Sequence, residues 1–164
     1  MKTIAVLMST YNGEKFLENQ ISSILSQKAP NNCEIKLFIR DDISTDKTID
    51  ILSRIKKFNP RQIVILNNNN NNVGVTQSFF CMLNSVKADY YFFSDQDDVW
   101  LPDKIVTAIN KIEETNRPAL YYGTMIATNS ELEKIREVNS HNDLPSYFNS
   151  VSYTHLRAHE TGAY

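Results

Sequence analysis

The sequence predicts an α/β fold in which a mostly parallel sheet is flanked by helices on both faces. Short apolar runs alternate with stretches of helical periodicity about four times before a last apolar run. The 164 residues are 41% hydrophobic and 22% charged, a balance that argues for a globular chain and against disorder. A chain of this size is one domain's worth and can bury roughly 70% of the surface it exposes when unfolded.

Residues 3–9 (TIAVLMS) form an apolar run suited to a buried strand. Over 14–27, Phe16, Leu17, Ile21, Ile24 and Leu25 fall on one side of a helical wheel, with Glu14, Lys15 and Glu18 outside. Residues 34–40 (EIKLFIR) alternate as a strand. Ser44 or Thr45 then supplies a cap and Asp46 complements the dipole of a helix running to about Phe58, which Pro60 helps to stop. Residues 62–66 (QIVIL) are the third strand. The six asparagines Asn67 to Asn72 that follow cannot bury apolar surface and read as a mobile loop. A helix is expected at about 75–87 and a strand at 89–94 (DYYFFS). Pro102 fits the first turn of a helix carrying Leu101, Ile105, Ala108, Ile109 and Ile112, and Pro118 precedes a strand at 119–127.

The formal net charge of −2 removes the electrostatic footprint of a nucleic-acid binder. The longest apolar stretches, IAVLM at 4–8 and IVIL at 63–66, fall far short of the roughly 20 residues of a membrane span. The first of them passes directly into a polar loop, so it does not read as a signal peptide. Cys33 and Cys81 make neither a disulfide framework nor a metal cluster, and read as the reduced thiols of a cytosolic protein. Residues 151–161, VSYTHLRAHET, resemble the translation of a transposase adapter used in preparing sequencing libraries. On that reading residues 1–150 are native and 151–164 are a non-native tail. The i, i+4 pair His155 and His159 lies in the tail and is not read as a metal site.

Open sheets of this class bind ligands outside the carboxyl ends of their strands. The loops to inspect are therefore Ser9–Gly13, Asp41–Asp46, Asn72–Val75 and Ser94–Trp100. With glycine only at 13, 74, 123 and 162, the dinucleotide fingerprint and the phosphate-cradling loop are both absent. A nucleotide bound here needs another answer to its phosphate charge, and a divalent cation is the obvious one. Asp95, Asp97 and Asp98 crowd three carboxylates into four positions, which is costly unless a cation compensates. Asp95 and Asp97, two apart, point the same way in an extended segment and offer the hard oxygens that suit Mg²⁺ or Mn²⁺. The alternative is a solvated acidic turn that caps the next helix. In the second loop a carboxylate can accept the imide N–H of uracil or thymine. Helix capping by Ser44, Thr45 and Asp46 would leave Asp41 and Asp42 unused. Tyr11 can stack on a base, with Asn12 and Gly13 allowing a tight turn.

Taken in order, MSTYNGEKFLENQISSILSQ, IRDDISTDKT, NVGVTQSF and YYFFSDQDDVWLPDKI resemble the family 2 inverting glycosyltransferases of GT-A fold. The likeness covers roughly residues 3–128 and is nearest to bacterial, rhamnosyltransferase-like enzymes that build surface polysaccharides. It implies transfer of a sugar, with inversion, from a UDP- or dTDP-linked donor to a glycan or lipid-linked acceptor, assisted by Mg²⁺ or Mn²⁺. Motif by motif, it implies that Ser9, Thr10 and Tyr11 line the nucleotide pocket. Asp42 would bind the pyrimidine base, with Asp41 supporting that loop. Asp95 would lie near ribose and metal, Gln96 belongs to the same nucleotide-sugar set, and Asp97 would be the principal metal carboxylate. Asp98, Trp100 and Asp103 complete the stretch.

The family usually has glycine where Ile43 stands. If that position needs a positive φ, a β-branched residue there is strained and the loop is displaced. The general base of the family is a carboxylate that takes the acceptor proton. It is expected beyond Ser150, since Glu131, Glu133, Glu137, Asp143 and His141 read as surface groups. The chain is thus expected to hold donor-binding machinery without the catalytic base. The resemblance also implies a cytoplasmic protein, with peripheral association at the inner face of the membrane left open. Two alternatives stand beside it: a metal-dependent nucleotide-binding module without transferase activity, or a nucleotidyltransferase. The second would have only Gly13 and Lys15 for its usual glycine-rich, basic loop.

Overall fold

A computed structural model describes residues 1–69, 71–115, 117–121, 123, 125–129, 132–138 and 155–157. Strands β1 (Lys2–Thr10), β2 (Cys33–Asp41), β3 (Ile63–Ile65) and β4 (Tyr90–Ser94) are joined in turn by helices α1 (Leu17–Leu25), α2 (Thr48–Phe58) and α3 (Val75–Ser85). Helix α4 (Lys104–Glu113) follows, then β5 (Leu120–Tyr121), β6 (Met125–Thr128), β7 (Lys134–Val138) and β8 (His155–Arg157). The main sheet has the order β3-β2-β1-β4-β8-β5. Its first four strands run parallel, and β8 lies antiparallel to both β4 and β5. β6 and β7 form a separate antiparallel pair.

Strand β1 shows why both faces are covered. Ile4, Val6 and Met8 point into a core with Leu17, Ile21 and Ile24 of α1, Leu52 of α2 and Ile105, Ala108, Ile109 and Ile112 of α4. Ala5 and Leu7 point the other way, against Phe79 and Met82 of α3 and Phe93 of β4. The period-two geometry of a strand thus splits one continuous apolar run between two cores. Phe79 and Phe93 close the second edge to face, with ring centroids 5.3 Å apart.

Several expectations are corrected. Ser44 and Thr45 do not cap α2, whose N-cap is Lys47 without a side-chain bond, because their polar groups are used by a neighbouring loop. Pro102 and Leu101 precede α4, which starts after Asp103, and Leu101 is exposed. Phe16, at the N-cap of α1, is also exposed. The single strand expected at 119–127 divides at Gly123 into β5 and β6, which belong to different sheets. Apart from these corrections, residues 155–157, within the stretch read as a tail, pair in the main sheet.

Candidate functional site

The carboxyl ends of β1, β2 and β4 bring three loops together. β1 ends at Thr10, and the next four backbone N–H groups all donate to side chains of neighbouring loops or of Thr48 at the start of α2. Tyr11 N donates to Gln96 Oε1 at 2.9 Å, Asn12 N to Ser44 Oγ at 2.9 Å, Gly13 N to Thr48 Oγ1 at 2.9 Å and Glu14 N to Asp46 Oδ2 at 3.1 Å. Other bonds run in the opposite sense. Asn12 Oδ1 accepts from Thr45 N at 2.8 Å, and Glu14 Oε2 accepts from Lys47 N at 3.0 Å. Asp46 serves both sides, since its Oδ1 accepts from Thr48 N at 2.9 Å. Satisfied backbone donors hold an irregular segment in one shape. The Tyr11 side chain rises from it into solvent, the residue being 51% exposed.

At the end of β2 the two carboxylates divide the work. Asp41 is turned inward: Thr10 Oγ1 and Ser44 Oγ donate to its Oδ1, at 2.9 and 2.6 Å, and Ser44 N donates to Oδ2 at 2.8 Å. Asp42 Oδ1 accepts from Arg40 Nη1 at 2.6 Å and from Val73 N at 2.9 Å, while Oδ2 accepts from Gly74 N at 2.7 Å. Burial works to raise the Asp42 pKa. The bonds from Arg40, Val73 and Gly74, together with the Arg40 charge, prevail and hold it below the usual carboxylate range.

The asparagine tract is fastened to this loop. Asn68 Nδ2 donates to Asp41 O at 3.0 Å, Asn72 Nδ2 to Asp42 O at 2.8 Å, and Arg40 Nη2 to Asn71 O at 2.9 Å. The expectation of a mobile loop therefore fails for Asn68, Asn71 and Asn72, whose amide and carbonyl groups are anchored on Arg40 and the two aspartates. Ile43 does adopt the left-handed conformation, with φ of 66°. The ladder nonetheless continues up to this position, Asp42 N donating to Thr10 O at 2.8 Å.

In the third loop Asp95 and Asp98 are partly buried, and Asp97 is exposed. Desolvation, reinforced by the charges of Asp98 and Asp97 and opposed by Lys104, pushes Asp95 up to about 6. Asp98 is likewise raised, first by burial. Lys104 is the nearby counter-charge, its own pKa lowered by burial, and its Nζ stands 4.4 Å from the centre of the Trp100 ring. The loop rests on polar groups of α1 and of Gln27 just beyond it. Gln20 Nε2 donates to Ser94 Oγ at 2.6 Å, Ser23 Oγ accepts from Trp100 N at 3.0 Å, and Gln27 Nε2 donates to Leu101 O at 2.8 Å.

The residues singled out from sequence thus lie on the three loops or at the strand ends that lead into them. Ser9 sits in the ladder beside Arg40, just before Thr10. The side chain of Gln96 lies on the Tyr11 backbone, with Nε2 donating to Tyr11 O at 3.0 Å. Arg40, Thr48, Lys104 and the row Gln20, Ser23 and Gln27 were not singled out. The row had a signal, being polar residues at helical spacing beside an apolar face. Glu131, His141 and Asp143 lie outside the described residues. Among those described, no group of three His, Cys, Asp or Glu side chains forms a metal cage, and no helix is long and apolar enough to cross a membrane.

Comparison with known proteins agrees with this arrangement of loops on an α/β sheet. The chain is 42% identical over 106 residues to a dTDP-rhamnosyl transferase, RfbG, of Shigella flexneri, covering 63% of this chain and 36% of that protein. It is 33% identical over 113 residues to the Escherichia coli glucosyltransferase WfaP, which by its name acts on α-D-GlcNAc-diphosphoundecaprenol; the match covers 69% of this chain and 42% of that protein. The chain therefore spans about two fifths of the length of these relatives. Among solved structures, Staphylococcus aureus TarS 1–349 in complex with UDP matches with a TM-score of 0.62 and 25% identity, over 73% of this chain and 34% of that one. The model of glycosyl transferase family 2 matches residues 5–162, and the chain belongs to that family.

Proposed function

We propose that this chain forms the donor-binding part of a glycosyltransferase that takes a sugar from a UDP- or dTDP-linked donor. The observation that carries the reading is the hydrogen bonding of three strand-end loops into one surface, with Gln96 and Ser44 both holding the segment that bears Tyr11. That surface offers an exposed aromatic ring for the base, a buried carboxylate at Asp42 and the acidic loop for the diphosphate end. Asp42 Oδ2 accepts from Gly74 N, and a carboxylate oxygen has a second lone pair with which to accept a pyrimidine imide N–H.

The donor set of the acidic loop fits a divalent cation of the Mg²⁺ or Mn²⁺ type. Asp95 and Asp97 supply hard oxygens, and burial, with the charges of Asp98 and Asp97 nearby, raises the Asp95 pKa against the pull of Lys104. Two carboxylates with the remaining positions open suit a metal that also takes substrate phosphates. Bound there, the metal would neutralise charge on the leaving diphosphate. Tyr11 would orient the base, Asp42 would select it, and Asp41 would hold the loop that presents Asp42. The acceptor, by likeness to the relatives, is a glycan or lipid-linked sugar whose hydroxyl would attack the donor's anomeric carbon with inversion, the nucleoside diphosphate leaving, in the cytoplasm at the membrane face. The base that takes its proton would lie outside residues 1–150, and residues 151–164 would be a non-native tail.

The test is a calorimetric titration of UDP and of dTDP, with and without Mn²⁺, on the wild type and on Asp97→Ala. Binding that needs both the metal and Asp97 is expected. Folded wild-type protein that binds neither nucleotide would overturn the reading.

A further inference from the structure

Gln96 stands among three aspartates, yet its side chain leaves them for the backbone of another loop. Its Oε1 accepts from Tyr11 N at 2.9 Å and its Nε2 donates to Tyr11 O at 3.0 Å, so one amide grips both polar groups of one residue. A carboxylate in its place would accept from Tyr11 N but present no proton to Tyr11 O, and would add a fourth negative charge to the loop.

Gly13 makes the room. A Cβ built on it would fall 2.3 Å from Gln96 Oε1 and 2.7 Å from Cδ, closer than real atoms approach. Gly13 does not have a positive φ, so it is needed here for space and not for its backbone freedom. Gly13 N is bound to Thr48 Oγ1 at 2.9 Å, which keeps the glycine from sliding away to admit a side chain.

We propose that Gln96 is a positioning residue that sets the Tyr11 ring against the nucleotide base, acting through the Tyr11 peptide, with Gly13 as the gap that admits it. This rests on the donor-site reading. The acidic loop and the base-stacking loop are thereby one unit: displacing the Gln96 amide lets Tyr11 drift although no group that touches nucleotide has been removed. Precise placement of a ring costs little once its backbone is fixed and is lost when the backbone is freed.

The test is a double-mutant cycle on the whole chain with Gln96→Leu, Gly13→Ala and the pair, titrating UDP and uridine in Mg²⁺ after circular dichroism has shown each variant folded. Each single variant should bind UDP about tenfold more weakly, the lower end of what losing one base–aromatic stack costs. The loss should be the same for uridine, because it enters through the ring and not the diphosphate. The pair should be no weaker than either single variant, since Gly13→Ala has nothing left to expel.

Losses that add, a loss confined to UDP, or a lowered melting temperature with unchanged affinity would each overturn the proposal. Wild type that binds neither UDP nor uridine would overturn the donor-site reading and this proposal with it. That result is distinct from the others, in which the wild type binds. Should Gln96→Leu fail to fold, Gly13→Ala alone still decides by its uridine affinity.

Discussion

Arg40 and Asp42, two residues apart at the end of β2, form an ion pair of 2.6 Å whose side chains are 5% and 4% exposed. Arg40 Nη1 also donates to Ser78 Oγ of α3 at 2.7 Å, and Nη2 reaches the asparagine tract. One guanidinium thus ties the Asp42 carboxylate to a helix and to a loop, using the fork geometry that lysine lacks.

Removing Arg40 would leave the Asp42 charge buried with only the Val73 and Gly74 N–H groups for support. Breaking one side of a buried pair is far more costly than losing a surface pair. Arg40→Ala should destabilise the chain by about 3 kcal/mol in urea unfolding. Arg54→Ala, which breaks the half-exposed pair between Arg54 and Glu18, should change it by only about 0.5 kcal/mol. Equal effects from the two would contradict the buried role assigned to Arg40.

The depressed pKa of Asp42 fixes the sign of a pH dependence. At mildly acidic pH the unfolded chain takes up this proton before the folded one does, so stability rises with pH through that interval. The contribution is complete above the ordinary carboxylate value of 3.8 and is lost as pH falls through the lower folded value. Asp42→Asn should therefore be less stable than wild type at pH 6, with the gap narrowing as the pH is taken below about 4. Urea midpoints measured across that range would show it; a gap that widens on acidification would refute it.

Ile43 holds φ of 66° within the loop of Asp41 and Asp42, where a branched side chain is strained. The left-handed conformation costs an L-residue roughly 1–2 kcal/mol, and glycine pays about 0.5–1 kcal/mol in unfolded-state freedom. Ile43→Gly should then stabilise the chain by about 0.5–1 kcal/mol, read as a higher melting temperature. Ile43→Ala keeps the Cβ and should recover much less. A glycine variant that melts lower would show that the Ile43 side chain is worth more than its strain.

The order of strands and helices was legible because strand-like apolar or alternating runs are separated by stretches of helical period, IAVLM in β1, buried on both sides, being the clearest. The loops at the strand ends were legible from the class of sheet. What escaped was partner choice. Ser44 and Thr45 carry the pattern of a helix cap, and that pattern says only that the side chains will bond backbone groups nearby. Which groups these are depends on β1 and β2 ending side by side: Ser44 Oγ accepts from Asn12 N, and Thr45 donates its N–H and hydroxyl to Asn12 Oδ1, so neither reaches α2. The partner of Gln96, which was itself singled out, escaped for the same reason: it is 85 residues away. The asparagine tract was read from composition, and composition does not contain Arg40.

The last strand of the sheet carries a prediction about association. β8 covers the outer edge of β4, with Tyr91 opposite Leu156, and β5 pairs on the far side of β8. β4 is a buried strand, YYFFS, in which Tyr90, Phe92, Phe93 and Ser94 are each 6% exposed or less. Such an edge, stripped of its neighbour, presents unpaired N–H and C=O groups beside large apolar side chains and is a template for another copy. If residues 151–164 are a non-native tail, a chain ending at Ser150 loses this cover without losing any native residue. The shortened chain should then self-associate with rising concentration in light scattering, while the 164-residue chain stays smaller at matched concentration. Placing a charge on the strand is the standard defence of an exposed edge, so Tyr91→Lys in the shortened chain should reduce the association. A shortened chain that remains a monodisperse monomer would mean that the edge of β4 is protected by something other than β8.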